Sequence, residues 1–250
     1  MKITNPKLQK IFNYLSQINQ TAYKDEFLIS NNVLSKNSFS SDLMNNYLLE
    51  KEPDKVGFFF KIKKILFYYI NNFSWLATYT GKSLIHYLSR QNWQPDPESK
   101  NLTLIDSTIY IKRVLSDVEF EDILFPGLQK VLKSQQIPFA FTSVLYDSGN
   151  PMQLFRAFRF FKKNKIPVIT EYQVVHGAVF FRMLLFLFLY PVSLIRFIKS
   201  LGNSYEDQLL TCALWETSDD LVASSYMRLL FGEKLSALPA SKIKCISWYE

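Results

Sequence analysis

Apolar residues follow two different periods along the chain. Beyond residue 100, short apolar segments of β type alternate with segments in which apolar residues recur at helical spacing. The β-type segments are 102–106, 137–145, 167–171 and 242–249, and the helical segments are 125–134, 152–163 and 205–231. Strands that alternate with helices indicate a parallel sheet covered on both faces. We therefore predict an α/β fold with a Rossmann-like parallel sheet and right-handed crossovers.

The first part of the chain has a mostly helical pattern. Leu8, Ile11 and Leu15 recur at helical spacing and predict an amphipathic helix, which a polar, loosely ordered stretch follows near 35–41. The segment 91–100 contains two prolines and no apolar period, so we predict a linker there. The expected organisation is a helical N-terminal region over 1–95 and a Rossmann-like domain over 96–250.

The segment 174–198 is the most hydrophobic part of the sequence. A membrane-spanning helix needs about 20 mainly apolar residues, whereas the uninterrupted stretch between Arg182 and Arg196 has 13 and contains Pro191. Three interpretations stay open: a buried helix pair of the α/β domain, a helix that lies in the membrane interface, and a single membrane span.

The segment 58–70 is a second candidate for the membrane interface. Lys61, Lys63 and Lys64 interrupt its aromatic residues, and this mixture is typical of a segment that lies at a membrane surface. Together with the cations of 174–198, these lysines could meet anionic headgroups. We predict two weak anchors that hold the protein at an anionic membrane.

Composition narrows the possible functions. With 250 residues and 48% hydrophobic content, the chain can form one large domain or two small ones. It has only 7 glycines and contains neither GxGxxG nor GxxxxGK[ST], which argues against a kinase or a dehydrogenase. The net charge of +7 suits nucleic acid, an anionic membrane or a phosphorylated substrate.

The metal-ligating residues are few and scattered. Cys212 and Cys245 lie far apart, and His86 and His176 are the only histidines, so we predict no metal site. Both cysteines lie in apolar segments, which predicts buried free thiols. The polar stretch 1–25 does not resemble a secretory signal, so we expect a cytosolic protein or one at the inner face of a membrane.

Three candidate site residues close predicted strands. Asp106 ends the first β-type segment, and Tyr146 and Asp147 end the second. In an open α/β sheet, ligands bind beyond the carboxyl ends of the strands. Asp106 is therefore a catalytic candidate, and Tyr146 and Asp147 are candidates for substrate binding. For both aspartates, a capping or turn role is the alternative, since Asp147 begins a turn-like sequence.

Three further candidates depend on what their surroundings are. Glu121 and Asp122 precede a predicted helix, where carboxylates interact favourably with the helix N-terminus. If either lined the cleft, it could act as a general base towards an acceptor hydroxyl. His176 follows the third predicted strand and could reach the cleft to contact substrate, with a packing role as its alternative.

The segment 155–165 mixes cations with aromatic residues, as in some nucleic-acid-binding proteins. At helical spacing, Arg156, Arg159 and Lys163 share one face beside the aromatic residues. This arrangement is typical of an amphipathic helix that covers a sheet and exposes a basic edge. We therefore expect no nucleic acid as a partner.

Several short segments resemble one known family. They are Phe-Pro-Gly-Leu-Gln-Lys-Val-Leu at 125–132, the β-type segment through Tyr146, the hydrophobic stretch 174–198 and, above all, Ile-Ser-Trp-Tyr-Glu at 246–250. In this order they resemble the bacterial surface-carbohydrate biosynthesis proteins, which are GT-B glycosyltransferases that build capsule or lipopolysaccharide. The resemblance covers 101–250, about 60% of the chain.

The resemblance implies that 101–250 is the N-terminal, acceptor-side half of a GT-B fold. Glu250 would line the interdomain cleft as an acid/base or orienting carboxylate, and Trp248 would lie at its lip and contact substrate. The family's nucleotide-sugar-binding half would follow Glu250 or belong to a partner chain. The implied activity is sugar transfer from a nucleotide sugar to a glycan or lipid-linked acceptor, without a cofactor or metal.

The expected location is the cytoplasm, peripheral to the inner membrane, because lipid-linked acceptors require membrane proximity. An alternative from another class is a non-catalytic interaction or scaffold protein attached to a membrane. The two differ in whether the chain binds nucleotide sugars or glycan acceptors.

Overall fold

The computed structural model describes residues 5–31, 33–34, 42–95, 101–116, 120–147, 149–173 and 176–247. The chain forms two compact units, and each is built from two separated stretches of chain. Unit 1 contains 1–76 and 180–227, and unit 2 contains 77–179 and 228–250. The predicted organisation had a single boundary after residue 95.

Unit 1 is helical. It contains α1 (Pro6–Ala22), a short 3-10 helix (Leu28–Ser30), α2 (Asp42–Leu48), the first part of α3 (Phe58–Ser89), most of α7 (Gly177–Ser200), α8 (Tyr205–Glu216) and the start of α9 (Val222–Ser236). Local sequence fixes the helix starts. The Asn5 side chain accepts from the first amides of α1, and Ser204 and Asp207 form a capping box at α8.

Aromatic side chains form much of the core of unit 1. Tyr68 of α3 stacks on Tyr190 of α7 with ring centroids 5.4 Å apart, and Phe186 stacks on Tyr226 at 3.9 Å. The buried hydroxyls have partners: Tyr68 donates to the Leu187 carbonyl at 3.0 Å, and the Asn31 amide donates to the Tyr190 oxygen at 2.8 Å. These hydrogen bonds offset the free-energy cost of burying the phenol hydroxyls.

Helix α7 runs without interruption from Gly177 to Ser200 and contains Pro191 in its interior. By length and composition it could cross a membrane, and 33% of its most apolar 18-residue window is buried. The segment 58–70 forms the start of the 32-residue helix α3, and most of its apolar side chains are exposed. Both hydrophobic segments identified in the sequence are therefore helical.

Unit 2 contains a four-stranded parallel sheet. Its strands are β1 (Asn101–Tyr110), β2 (Phe139–Tyr146), β3 (Val168–Ile169) and β4 (Lys242–Ile246), in the order β3-β2-β1-β4. The helices between them are α4 (Ile111–Ser116), α5 (Leu128–Ser134) and α6 (Pro151–Lys163), and a short 3-10 helix (Glu171–Gln173) follows β3. The prediction of an α/β fold with a parallel sheet is confirmed.

The two faces of this sheet are covered by different elements. On one face, Phe141 contacts Phe120, which in turn contacts Phe161 of α6. On the other face, the end of α9 and Trp93 pack over a buried cluster near the amino ends of the strands; this cluster consists of Leu102, Leu104, Ala140 and Ile169. The hydrophobic core of unit 2 therefore lies on both sides of the sheet.

The structure corrects two local predictions. The helical segment predicted at 205–231 is two helices, α8 and α9. After α8 ends, the Ser218 hydroxyl donates to the Trp215 carbonyl at 2.8 Å and satisfies an acceptor that a further helical turn would otherwise bind. Both thiols are free, as predicted, but neither is buried: Cys212 is half-buried, and Cys245 is exposed on β4, an edge strand of the sheet.

We expect Asn72 to be important for the stability of unit 1. This fully buried side chain donates to the Asp220 carbonyl at 2.9 Å and accepts from the Ala223 amide at 2.9 Å, which fixes the start of α9. Asn72→Ala leaves both backbone groups without this partner, so the free energy of unfolding should fall by about 1–3 kcal/mol.

Urea denaturation of the full chain measures this loss. The matched control is Asn203→Ala, which removes an exposed asparagine side chain of the same unit and should change the free energy of unfolding by less than about 0.5 kcal/mol. Equal effects of the two substitutions would contradict a structural role for Asn72.

Candidate functional site

Towards the carboxyl ends of β1 and β2, the described part of the chain leaves one face of the sheet of unit 2 partly exposed. Asp106, Thr108 and Tyr110 point to this face because side chains alternate along a strand. The register places Val144 beside Thr108 and Tyr146 beside Tyr110. We call these five residues the open face, because none of them is fully buried.

The open face begins where the hydrophobic cover ends. The end of α9 packs over Leu102 and Leu104, which precede Asp106 on the same face of β1. Beyond them, Tyr110 and Tyr146 stack with ring centroids 5.4 Å apart, yet 42% and 49% of their surfaces remain exposed. A pair of stacked, half-exposed rings offers a flat apolar platform with hydroxyl groups at its rim.

Asp106 lies where the strand order reverses. The chain adds β2 and then β3 on one side of β1, and later adds β4 on the other side. Ligands of open α/β sheets bind at such a reversal, near the carboxyl ends of the strands. Asp106 is partly buried there, and its carboxylate accepts from the Ser247 hydroxyl at 3.1 Å. It lies within β1 rather than in the following turn, so it is not a capping residue.

A cavity of about 810 Å³ lies on the same side of the sheet. Ile169 lines it and shares a register row with Thr142 and Asp106. Asp106 is therefore two strand spacings, about 10 Å, from this wall of the cavity. Such a volume is typical of sites for small molecules.

The lining of the cavity is aromatic, amide-rich and basic. The segments that form it are the end of α3, residues 90–95, the segment after β3 and the end of α9. The aromatic residues are Tyr87, Trp93, Tyr172 and Phe231, and the polar ones include Arg90, Gln94, Gln173, His176 and Lys234. Among the described residues that line the cavity there is no carboxylate, so its lining favours an anionic ligand.

A buried hydrogen-bond chain fixes one wall of the cavity. The Gln91 amide nitrogen donates to the Val168 carbonyl at 2.9 Å, so its oxygen faces His86, whose Nε2 donates to it at 2.7 Å. The His86 ring also packs edge-on against Phe158 at 4.8 Å. Burial lowers the pKa of His86, which keeps the ring neutral near pH 7. His86 therefore connects α3 to β3 and is a packing residue.

The structure brings three of the predicted site residues to this side of the sheet. Asp106 and Tyr146 belong to the open face, and His176 is exposed in the cavity lining. Asp147 lies in the exposed turn after β2, where its φ of 58° is in the left-handed region. Its neighbour Tyr146, and not Asp147 itself, presents its side chain on the open face.

Glu121 and Asp122 are placed differently. Asp122 is buried and accepts from the Leu124 and Phe125 amides at 2.9 and 2.7 Å, and from the Ser107 hydroxyl. Ser107 points away from the open face, so Asp122 lies behind the sheet, where its carboxylate holds the turn before α5. It does not cap that helix, because the N-cap of α5 is Gly127. Glu121 is exposed and accepts from the Gly127 amide at 3.2 Å. Trp248 and Glu250 lie outside the described residues.

Sequence reasoning missed most of the cavity. The two prolines of 91–100 suggested a linker, whereas Gln91 is buried and Trp93 packs against the core. A tryptophan and a glutamine directly after a helix were the available signal. Arg90 and Lys234 could not be paired from sequence, because 143 residues separate them.

This arrangement suits a polar, phosphorylated ligand. Aromatic rings can pack on apolar ring faces, amides can bind hydroxyls, and Arg90 and Lys234 can bind phosphate. Asp106 could accept a proton from a bound hydroxyl. Within the described ranges, His, Cys, Asp and Glu form no group of three or more that could hold a metal ion.

We expect His86 to make the stability of the protein depend on pH. Because its pKa is lowered in the folded chain, the unfolded chain binds more protons below the ordinary histidine pKa of about 6.5. The free energy of unfolding should therefore fall as the pH drops through this range, by at most about 1.4 kcal/mol per pH unit.

Urea denaturation at several values between pH 5 and 7 measures this slope. His86→Gln should reduce the slope, whereas Asn203→Ala, which removes no titratable group, should leave it unchanged. The reverse pattern would contradict the assignment of the buried ring.

We also expect the charge of Asp106 to control the thiol of Cys245. Burial, and then the Asp106 carboxylate, raise the pKa of Cys245. Asp106→Asn removes the charge, so the thiolate fraction at pH 8 and the rate of alkylation should rise about two- to fivefold. Peptide mass spectrometry after iodoacetamide treatment measures the alkylation rate of both cysteines, and Cys212 is the internal control. If the ratio of the two alkylation rates does not change, the charge of Asp106 does not act on the Cys245 thiol.

Comparisons of the chain with models of protein families, with curated proteins and with solved structures found no match.

Proposed function

We propose that this chain is the acceptor-side part of a glycosyltransferase in bacterial surface-polysaccharide biosynthesis. It would transfer sugar from a nucleotide sugar to a glycan or lipid-linked acceptor. The observation that carries this proposal is the position of Asp106, a partly buried carboxylate at the point where the strand order reverses, on an uncovered sheet face beside a cavity.

The sheet topology supports the Rossmann-like part of the proposal. The order β3-β2-β1-β4 with all strands parallel equals the first four positions of the classic doubly wound order 3-2-1-4-5-6. In this proposal the sheet of unit 2 is the N-terminal half of a GT-B fold. The nucleotide sugar would be bound by a further domain or a partner chain, on the opposite side of the reaction centre.

The lining of the site supports an acceptor with sugar rings and phosphate. The stacked pair Tyr110 and Tyr146 offers a platform for a sugar ring, and the cations of the cavity suit the phosphate of a lipid-linked acceptor. Asp106 would accept the proton of the acceptor hydroxyl. The hydroxyl oxygen would bond to the anomeric carbon of the donor sugar, while the bond from this carbon to the nucleoside diphosphate breaks and its electron pair leaves with the diphosphate.

The proposal places the protein in the cytoplasm at the inner membrane. The apolar helix α7, of which only a third is buried in its most apolar window, supports membrane association. A lipid-linked acceptor would be available at that surface.

A non-catalytic, membrane-attached interaction protein is the second candidate. The exposed apolar side chains of α3 and α7 favour it, because such a surface is typical of a binding site and requires no catalytic residues. Such a protein would have no need of a carboxylate on an open sheet face, and it would bind neither glycans nor nucleotide sugars.

Ligand binding to the full chain tests the proposal. We expect glycans or short-chain polyprenyl-phosphate sugars to bind on the open face. Tyr146→Ala should weaken their affinity about tenfold, which corresponds to about 1.4 kcal/mol. Isothermal titration calorimetry measures the affinity, and Tyr23→Ala, a substitution of an exposed tyrosine in unit 1, is the control.

Alkylation of Cys245 gives an independent measurement of the same binding. A bound acceptor should slow the reaction of Cys245, which shares a sheet face with Asp106, and leave that of Cys212 unchanged. If no glycan acceptor or nucleotide sugar binds, the glycosyltransferase proposal is wrong and the interaction protein is favoured.

A further inference from the structure

Helix α7 has two apolar faces of opposite environment. One face packs into unit 1 and contains the buried residues Met183, Phe186, Leu187, Tyr190 and Leu194. The opposite face is exposed and also apolar; it contains Phe181, Leu185, Phe188, Leu189 and Val192. A helix at the surface of a water-soluble protein normally has polar residues on its outer face. We therefore expect the outer face of α7 to contact an apolar environment.

The first half of α3 has an exposed apolar face of the same kind. Its residues are Phe59, Ile62, Leu66 and Ile70, which recur at helical spacing. Phe188 of α7 connects the two faces, because its ring lies 5.5 Å from that of Phe73 and 6.3 Å from that of Tyr69. We call the combined area the two-helix apolar surface. Its continuity over two helices distinguishes it from scattered exposed apolar residues.

The charges on these helices have one sign. Neither α3 nor α7 contains an aspartate or a glutamate. The exposed face of α7 continues through Arg196 and Lys199, which follow Val192 at helical spacing and are themselves exposed. Lys63 lies at the edge of the α3 face, 5.8 Å from the Phe67 ring centroid. A second copy of the chain would present the same cations and be repelled, whereas anionic lipid headgroups would attract them.

We propose that the two-helix apolar surface docks onto an anionic lipid bilayer, with α3 and α7 lying in the plane of the interface. The apolar side chains enter the boundary between headgroups and acyl chains, while Arg196 and Lys199 extend to the phosphates. This proposal holds whether or not the chain transfers sugars.

The inner contacts of α7 favour a helix in the interface over a membrane span. Tyr190 accepts from the Asn31 amide at 2.8 Å, and Arg182 donates to Glu26 at 2.8 Å. Glu26 also accepts from the Tyr226 hydroxyl, which joins α7 to α9. A spanning α7 would have to break these contacts or draw the polar groups into hydrocarbon, where unsatisfied polar groups are costly. A helix that lies in the interface keeps all of them.

Flotation with vesicles tests the docking surface. The full chain should float with vesicles of phosphatidylcholine that contain about 30% phosphatidylglycerol, an anionic lipid. The double variant Phe181→Glu/Leu66→Glu should weaken the partition at least tenfold, because it places a charge on each helix face. The control Leu49→Glu/Met152→Glu adds the same charge at exposed apolar residues elsewhere and should bind as the unchanged chain does.

A second variant separates the charge from the apolar contact. Arg196→Gln/Lys199→Gln should weaken binding to the anionic vesicles about fivefold for each cation removed, and leave the weaker binding to pure phosphatidylcholine vesicles unchanged. Circular dichroism verifies that each variant is folded. If the double glutamate variant does not fold, this second variant still decides whether the surface binds anionic lipid.

Three results would overturn the proposal. Absence of flotation with anionic vesicles excludes a bilayer as the partner. Retention in the membrane after alkaline carbonate treatment indicates a spanning helix instead. A dimer in lipid-free sedimentation experiments that Phe181→Glu/Leu66→Glu abolishes would assign the surface to a second copy of the chain.

Discussion

The parallel hydrogen bonds that β1 makes with β2 on one side and β4 on the other determine the arrangement of unit 2. This double pairing makes β1 the central strand and fixes the register of its neighbours. The register places Asp106, Thr142 and Ile169 in one row on one face of the sheet. The carboxylate, the uncovered face and the cavity wall are neighbours for this reason alone, although they come from distant parts of the sequence.

Much of this sheet was predictable from local pattern. The β-type segments became β1, β2 and β4 within a few residues, because each combines apolar residues that strands favour with flanking turns. Tyr146 was found from its position at the end of β2, whereas Asp106 was expected to end its strand and lies within β1, which continues to Tyr110. The choice between the two faces was not predictable, since it depends on where α9 stops covering the sheet. Asp122 illustrates this point: its hydrogen bond with Ser107 places it behind the sheet, and no local pattern indicates this side.

The cavity was less predictable because its residues converge through long-range contacts. The role of Gln91 depends on its hydrogen bonds with His86 and the Val168 carbonyl. No local sequence pattern indicates that these groups are close in space. The same limit applies to α7. Hydropathy identified the segment but could not show that one apolar face is buried in protein while the other is exposed, because the average over a helix removes the direction of each side chain.

The interleaved course of the chain has a consequence for how the protein is made. β4 pairs with β1 only after the second stretch of unit 1 has been synthesised, and the hydrogen bond between Ser247 and Asp106 joins residues 141 positions apart. During synthesis on the ribosome, one edge of β1 therefore stays without its β4 partner while the helices at 180–227 emerge. Contacts of such long separation form slowly, and an unpaired strand edge is prone to association with other chains. Chaperone protection of the nascent chain is thus most needed during the interval between the two strands.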